Sequence, residues 1–376
     1  SDAAACKDAY TALRTANADL EQNLPEEGKI YRIDITPTLD DANRAGASMR
    51  IDDNGKLACG VFDAANARFY FTFEYDNEGK LYMKNLHSAT FVDEALAHNS
   101  ETQVGADAEE IANAKSVNIT TLGSTGDGKA LVGITPTGGA MLNCAAKDGN
   151  VVAFNNTGTT KASAWVINEV EIQEVEENVK HTISLAPNTT GDDQITGYST
   201  LNLGYPVTVP AGVKAYIVTN SAIVDNTIEL YEYASEGATI PANFPVILRG
   251  STETAATREF QFKNSSVAAV DNVTNLLGGT NYTTYESCLN ENEENVYNIY
   301  MLTRSGGIVA MRWAYENYDA DRNYTGKNDD GGYVKCAANK VYLKLGGTSA
   351  ANLSATYYFS LFSGTTDIDK IESEEN

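Results

Sequence analysis

A turn signal that recurs between short apolar runs constrains the fold of this chain more than any other feature. Asp53–Leu57, Asn77–Leu81 and Asp127–Leu131 each carry a Gly-Lys pair just before a new apolar run. Glycine adopts positive φ without steric cost, so these segments predict tight turns between strands. The first two lysines lie 24 residues apart, and the second and third lie 49 apart, close to twice that spacing. The spacing predicts an internal repeat of strand pairs that closes into a barrel.

The clearest strand is Arg68–Tyr75, where aromatic residues alternate with polar ones. Phe69, Phe71, Phe73 and Tyr75 occupy every second position, which places them on one face of a strand. A helical face does not keep a period of two residues. The pattern therefore predicts β-structure.

Three further turns lead into strands in the second half of the chain. Gly212, Asn243 and Asn339 stand where a left-handed residue suits a turn, shortly before apolar runs. Short strands between such turns are typical of a sandwich. The predicted fold is all-β with a short N-terminal helix, in which a β-trefoil-like barrel is followed by a β-sandwich.

The chain is long enough for two domains, and its composition suggests where they divide. Leu13, Ala16 and Leu20 recur at helical spacing, which predicts a helix within residues 1–25. Residues 26–175 form the predicted β-trefoil-like domain, and 198–376 form the predicted β-sandwich. Residues 176–197 between them are charged and then rich in Asn, Thr, Gly and Asp, which predicts a linker.

The net charge of -24 argues against nucleic-acid binding, which needs clustered Lys and Arg. No apolar run approaches the length of a membrane span, so we expect no membrane insertion. We also expect the chain to be a monomer.

Cysteine and histidine patterns disfavour a metal centre. The five cysteines include no CxxC pair, so buried free thiols are expected, and a Cys59–Cys144 bridge stays open as an alternative. The three histidines, His87, His98 and His181, show no metal-ligand spacing and are expected to be isolated surface residues.

Nucleotide and hydrolase motifs are also missing. Gly123–Lys129 nearly matches a phosphate-binding loop, but Ala130 replaces the Ser or Thr that would hold magnesium. This segment therefore predicts a hairpin turn. No Gly-x-Ser-x-Gly nucleophile elbow is present, and 51 acidic residues make any carboxylate pair uninformative without geometry. We expect no enzymatic activity.

The segment Arg312–Gly332 is the candidate binding site because it combines aromatic residues with acids and amides. Aromatic rings stack on the apolar C–H faces of sugars, while carboxylates and amides bind hydroxyls. The candidate ligand-binding residues are Trp313, Tyr315, Tyr318, Asp319, Asp321, Asn323 and Tyr324. Alternate oxygen ligands from Asp319 to Asp330 also suggest calcium, but the glycine of an EF-type loop stands eighth rather than sixth. A solvated loop, a sugar contact and a calcium loop all stay open.

Several segments resemble known accessory modules. Gly28–Ile33, Gly79–Asn85 and Ala164–Ile167 are similar to ricin-like β-trefoil modules of secreted glycan-degrading proteins in gut Gram-negative bacteria. Tyr198–Leu201, Pro206–Pro210 and Thr366–Ile371 resemble the β-sandwich near the ends of such chains. The resemblance carries no catalytic residues. Ricin-type lectins bind sugar with Asp and a Gln-x-Trp element, whereas Ser163 and Ala164 precede Trp165 in this chain.

The resemblance implies a non-catalytic, carbohydrate-binding or accessory module of a glycan-handling bacterial protein, extracellular or on the outer cell surface. Its partners would be a glycan or a neighbouring catalytic domain, with a host or surface protein as a further candidate. No cofactor is expected apart from the calcium alternative. A surface adhesin or structural spacer that contacts protein and has no sugar site is the alternative function.

Overall fold

The computed structural model describes residues 24–361 except 146–148, 192–193, 220–222, 254–255, 266–273, 290–296, 315, 319–323, 328–331 and 347–354. Within these residues the protein is predominantly β, contains several sheets and has a single α-helix. The predicted N-terminal helix lies almost entirely outside the described residues.

The first half of the described chain contains ten strands and two short 3₁₀ helices, Ala67–Phe69 and Ile111–Asn113. The strands are β1 (Ile30–Ile35), β2 (Ala47–Ile51), β3 (Leu57–Val61), β4 (Tyr70–Tyr75), β5 (Leu81–Asn85), β6 (Val117–Ser124), β7 (Ala130–Pro136), β8 (Leu142–Cys144), β9 (Val151–Ala153) and β10 (Trp165–Val170). Eight of them form one sheet in the order β3-β2-β1-β10-β7-β6, with the β4–β5 hairpin joined to β1. Strands β8 and β9 pair separately.

The three predicted turns of this half are confirmed. Their glycines have positive φ, at 73° for Gly55, 77° for Gly79 and 85° for Gly128. In the first two turns a carboxylate oxygen accepts the amide N–H four residues later, at 3.0 Å for Asp52 and 2.9 Å for Asp76. The third turn uses a threonine hydroxyl in the same role. The near match to a phosphate-binding loop is therefore a hairpin turn between β6 and β7, as predicted.

The alternating aromatic strand is confirmed from Tyr70 onward, and Phe71 and Phe73 are buried in the core. Phe69 instead ends a 3₁₀ helix. Tyr70, on the opposite face, is also fully buried. It packs in a second cluster, against the other half of the chain, so both faces are covered at the start of this strand.

The second half contains one helix, α1 (Ile172–Asn178), and nineteen strands in its described part. They are β11 (Lys180–Ser184), β12 (Ala186–Pro187), β13 (Thr196–Leu201), β14 (Val207–Thr208), β15 (Val213–Ile217), β16 (Ile223–Val224), β17 (Thr227–Ala234), β18 (Thr239–Ile240), β19 (Val246–Ser251), β20 (Thr257–Phe262), β21 (Leu277–Thr280), β22 (Thr284–Ser287), β23 (Tyr297–Ser305), β24 (Ile308–Trp313), β25 (Glu316–Tyr318), β26 (Tyr324–Lys327), β27 (Tyr333–Cys336), β28 (Lys340–Gly346) and β29 (Thr356–Leu361). They form sheets of four, eleven and four strands, and β29 joins β17 to β24 within the largest sheet.

The left-handed turn residues of this half are also confirmed. Gly212 has φ of 72°, Asn243 has 55° and Asn339 has 60°. Asparagine tolerates this conformation better than most residues with a side chain, which explains its use at two of the three turns.

The segment predicted as a linker contains secondary structure. Helix α1 overlaps its start, and Lys180–Ser184 pairs with Thr257–Phe262. Among the described strands, β1–β10 pair only with one another, and so do β11–β29. The division into two domains stays a prediction.

The two halves share a hydrophobic cluster. Ile30, Tyr70 and Val170 pack in one cluster with residues of the second half such as Leu203 and Tyr205. A separate cluster around the fully buried Trp165 fills the first half; its Nε1 donates to the Leu142 carbonyl oxygen at 2.9 Å. The junction between the halves is therefore a continuous core.

Four cysteines, Cys59, Cys144, Cys288 and Cys336, are buried free thiols as predicted, and Cys6 lies outside the described residues. The alternative Cys59–Cys144 bridge is not formed. The neighbouring Cys144 thiol and burial both raise the pKa of the Cys59 thiol. Both effects disfavour a thiolate at neutral pH.

The expectation of three surface histidines is wrong for His87, which is only 4% exposed. His98 is exposed, and His181 is half-buried. His87 is buried because its loop packs against Tyr205 of the second half, with 6.2 Å between the ring centroids. Sequence periodicity carries no information about such a long-range contact.

Candidate functional site: a cavity beside Phe154

Most of the binding residues predicted from sequence lie where the structure gives no side-chain position. Tyr315, Asp319, Asp321 and Asn323 are outside the described residues. The backbones of Tyr318 and Tyr324 pair across β25 and β26. Trp313, at the end of β24, is half-buried and packs against the core cluster around Tyr300 and Met311. The role of these residues in binding stays a prediction.

The predicted loop contains a short hairpin, because β25 and β26 pair with a bulge and join the sheet of β22 and β27. Tyrosine and threonine in these strands favour extended backbone. The predicted calcium ligands between Asp319 and Asp330 lie outside the described residues, which at this point of the chain include only the two strands of this hairpin. Elsewhere in the described chain, no group of three or more His, Cys, Asp or Glu is placed to hold a metal ion.

An open cavity of about 710 Å³ lies at the β8–β9 end of the first half. Its lining joins one exposed aromatic ring to several amide, hydroxyl and carboxylate groups. The described residues that line it are Asn99, Ser100, Glu101, Ala145, Gly149, Asn150, Val152 and Phe154.

The ring of Phe154 is 38% exposed, although most large apolar side chains of this half are buried. Its backbone is held from both sides. The amide N–H donates to the Met141 carbonyl oxygen at 2.9 Å, and the carbonyl oxygen accepts from Ser163 Oγ at 2.7 Å. Ser163 also accepts a hydrogen bond from the buried Asn143 amide at 2.9 Å. The exposed ring therefore belongs to a residue whose backbone is fixed by hydrogen bonds on both sides.

His98 packs against the Phe154 ring, with 4.7 Å between the ring centroids. Its Nδ1 accepts the Asn155 amide N–H at 2.9 Å. A neutral imidazole in this arrangement carries its proton on Nε2. This contact orients the histidine ring and supports the exposed phenylalanine.

The polar wall of the cavity has free hydrogen-bonding capacity. Asn99, Glu101 and Asn150 are exposed, and within the described chain their side chains make no hydrogen bond to protein. An isolated backbone bridge between Ser100 and Ala153 holds the wall next to the aromatic ring. The cavity therefore presents an apolar face beside amide and carboxylate groups, which suits a ligand with one apolar face and several hydroxyls.

Sequence reasoning missed this cavity because its described residues come from two separate stretches of the chain, around positions 100 and 150, that only the tertiary structure brings together. A weak local signal exists: Phe154 stands directly before Asn155-Asn156, inside a polar stretch that offers few core positions. The short β8–β9 pairing that exposes the ring was not visible in the pattern.

One carboxylate pair does come together, away from Phe154. Burial, and then the nearby Asp107 carboxyl group, raise the pKa of Asp93 to about 7. The hydroxyl of Tyr282 from the second half donates to the Asp107 carbonyl oxygen at 3.4 Å. The pair is part of the contact between the two halves.

No helix in the described part of the chain is both long and apolar enough to cross a membrane.

No protein-family model matches the chain, and no curated protein is similar to it in sequence. Among solved structures the chain is similar to that of a mosquitocidal holotoxin, at 11% identity and a TM-score of 0.28. The match covers 89% of this chain and 52% of the toxin chain, so this chain spans about half of it. A similarity this weak carries no argument about fold or function.

Proposed function

We propose that this protein is a non-catalytic carbohydrate-binding module of a secreted or cell-surface glycan-handling protein, and that the cavity beside Phe154 is its sugar contact. The observation that carries the proposal is an exposed, rigidly held aromatic ring beside unpaired amide and carboxylate side chains. A pyranose ring offers a C–H face to the aromatic ring and hydroxyls to the amides. The β-trefoil-like and β-sandwich arrangement belongs to the same proposal.

A binding role also agrees with the number of carboxyl groups among the described residues of this cavity. Hydrolysis of a glycosidic bond ordinarily uses two carboxyl groups on either side of the bond. Of the described residues that line the cavity, Glu101 alone carries a carboxyl group. It is placed to accept a hydrogen bond from a sugar hydroxyl.

We expect Phe154→Ala to weaken binding of a neutral oligosaccharide about tenfold, because stacking on an aromatic ring contributes roughly 1 kcal/mol or more. The melting temperature should change little, since the side chain is already 38% exposed. A glycan array of neutral oligosaccharides, followed by titration calorimetry with the strongest binder, measures the effect.

The matched control is Tyr358→Ala, which removes an aromatic ring of equal exposure from the second half. This variant should bind the same oligosaccharide as tightly as the wild type does.

A Tyr318→Ala, Tyr324→Ala double variant tests the site predicted from sequence. If that double variant abolishes binding while Phe154→Ala has no effect, the Phe154 cavity is not the sugar contact. Absence of binding to every glycan would instead favour the adhesin or spacer alternative.

A further inference from the structure

A second cavity, of about 380 Å³, lies on the eight-stranded sheet of the first half and shares no described lining residue with the Phe154 cavity. Strands β1, β2 and β10 form its floor, and the β6–β7 turn forms one wall. Strand register brings its polar residues together. Arg32 lies opposite Asn168 across β1 and β10, and Asp34 lies opposite Ser48 across β1 and β2.

The carboxylate at the centre of this cavity is already satisfied. Asp34 Oδ2 accepts hydrogen bonds from Arg32 Nε and Asn168 Nδ2, both at 2.8 Å. Its Oδ1 accepts from Ser48 Oγ at 2.5 Å. A carboxylate with this many donors has little capacity left for a ligand. We conclude that Asp34 positions its neighbours.

The unused hydrogen-bonding capacity belongs to two cations. Lys129 Nζ donates to Asn168 Oδ1 at 2.7 Å, and it makes no ion pair within the described chain. The Arg32 guanidinium is paired with Asp34 Oδ2 through Nε and Nη2, both at 2.8 Å, and lies 4.4 Å from the centre of the Phe62 ring. Its Nη1 has no acceptor among the described residues. Lys129 Nζ and Arg32 Nη1 line a cavity open to solvent, so their remaining N–H donors are available to an anion.

One acidic group remains on the wall. Asp127, in the β6–β7 turn, accepts a hydrogen bond from the Thr125 hydroxyl, and this bond is the main cause of its lowered pKa. The nearby Lys129 contributes a smaller decrease. Asp127 is exposed, so its second oxygen remains free to accept a hydroxyl. The cavity therefore combines donors for a carboxylate with an acceptor for hydroxyl groups.

We propose that this cavity binds a carboxylate-bearing sugar, a uronic acid residue, whose carboxylate contacts Lys129 and Arg32 and whose hydroxyls contact Asp127. A cavity of about 380 Å³ is large enough for one sugar residue. In a chain with a net charge of -24, general attraction does not bring an anion to the surface. Selectivity for the carboxylate comes from Lys129, which makes no ion pair among the described residues, and from the Nη1 donors of Arg32.

The test is calorimetric titration of the full chain with D-galacturonate and D-glucuronate, and with the matching neutral sugars galactose and glucose. We expect a uronate to bind and its neutral counterpart to bind at least about tenfold more weakly, because a charged hydrogen bond is lost. Lys129→Gln should weaken uronate binding by a similar factor and leave the melting temperature unchanged.

Lys80→Gln is the matched control, because Lys80 holds the same position in the equivalent β4–β5 turn and is also exposed. It should leave uronate binding unchanged, as should Phe154→Ala. Equal binding of uronate and neutral sugar, or uronate binding that survives Lys129→Gln, would overturn the proposal. Competition by acetate as strong as that by uronate would show a simple carboxylate site and overturn the sugar assignment. Because Phe154→Ala affects the other cavity alone, failure of either proposal leaves the other testable.

Discussion

We expect the wild-type protein to lose about 3 kcal/mol of unfolding free energy, relative to a His181→Gln variant, when the pH falls from about 7 to about 4. Burial, together with smaller effects of the positive charges of Lys340 and Arg68, lowers the pKa of His181 to about 4. The unfolded chain binds a proton at this imidazole below about pH 6.5, whereas the folded protein does not. Stability from this residue is therefore complete above about pH 6.5 and decreases down to about pH 4.

His87 adds to the same trend. Its side chain is buried, and no described residue offers Nε2 a hydrogen-bond partner. Burial lowers the pKa of His87 well below its ordinary value, and the charges of Arg68 and His181 act in the same direction. His87 lies at the junction, so acid should weaken the contact between the halves first.

Asp93 opposes the histidines over part of this range. Its pKa is raised to about 7, so the folded protein holds a proton there that the unfolded chain releases above about pH 4. Its contribution is present at low pH and is lost as the pH rises through about 7. For this reason the wild-type profile alone is not diagnostic.

The informative measurement is the difference in urea-unfolding free energy between the wild type and His181→Gln at several pH values. Titrating groups that do not interact with His181 contribute equally to both proteins and cancel, whereas His87, whose pKa is lowered by the charge of His181, does not cancel fully. His98→Gln replaces an exposed histidine and serves as the control. A His181→Gln difference that stays constant from about pH 7 to about pH 4 would show that His181 is not held neutral by the fold.

Gly204→Ala is expected to cost about 1–3 kcal/mol of stability, because an added methyl group has no space at the junction. A Cβ at Gly204 would lie 2.5 Å from the His87 carbonyl oxygen and 2.6 Å from the Ala89 amide nitrogen. These are backbone atoms, and the φ of 57° at Ala89 marks a tight, specific turn. The Gly204 amide also donates to the His87 carbonyl oxygen at 3.1 Å, so the two segments cannot separate without losing this bond.

Gly126→Ala is the matched control, since a Cβ there meets no atom within 4 Å and the residue does not need positive φ. Its stability should remain close to that of the wild type. Chemical denaturation of both variants and the wild type measures how much unfolding free energy each substitution removes. Equal stability of Gly204→Ala and the wild type would mean that the junction yields easily and that the two halves are only loosely joined.

Local sequence determined the elements of this fold. The glycines at 55, 79 and 128 and the asparagines at 243 and 339 predicted turns correctly, because positive φ is a property of a single residue and its neighbours. The alternation through Phe71 and Phe73 predicted a strand for the same reason, since side-chain direction repeats every two residues. The predominance of β-structure followed from these signals.

Tertiary structure alone decided which residues meet. His87 reads as a surface residue in the sequence but is buried by Tyr205, which lies more than a hundred positions later. The cavity beside Phe154 joins two stretches of chain that lie about 50 positions apart. The cavity lined by Arg32 and Lys129 joins residues from separate strands, and its chemistry depends on strand register. Sequence periodicity specifies which face of a strand a residue occupies, but burial and proximity arise only when distant strands pair and pack.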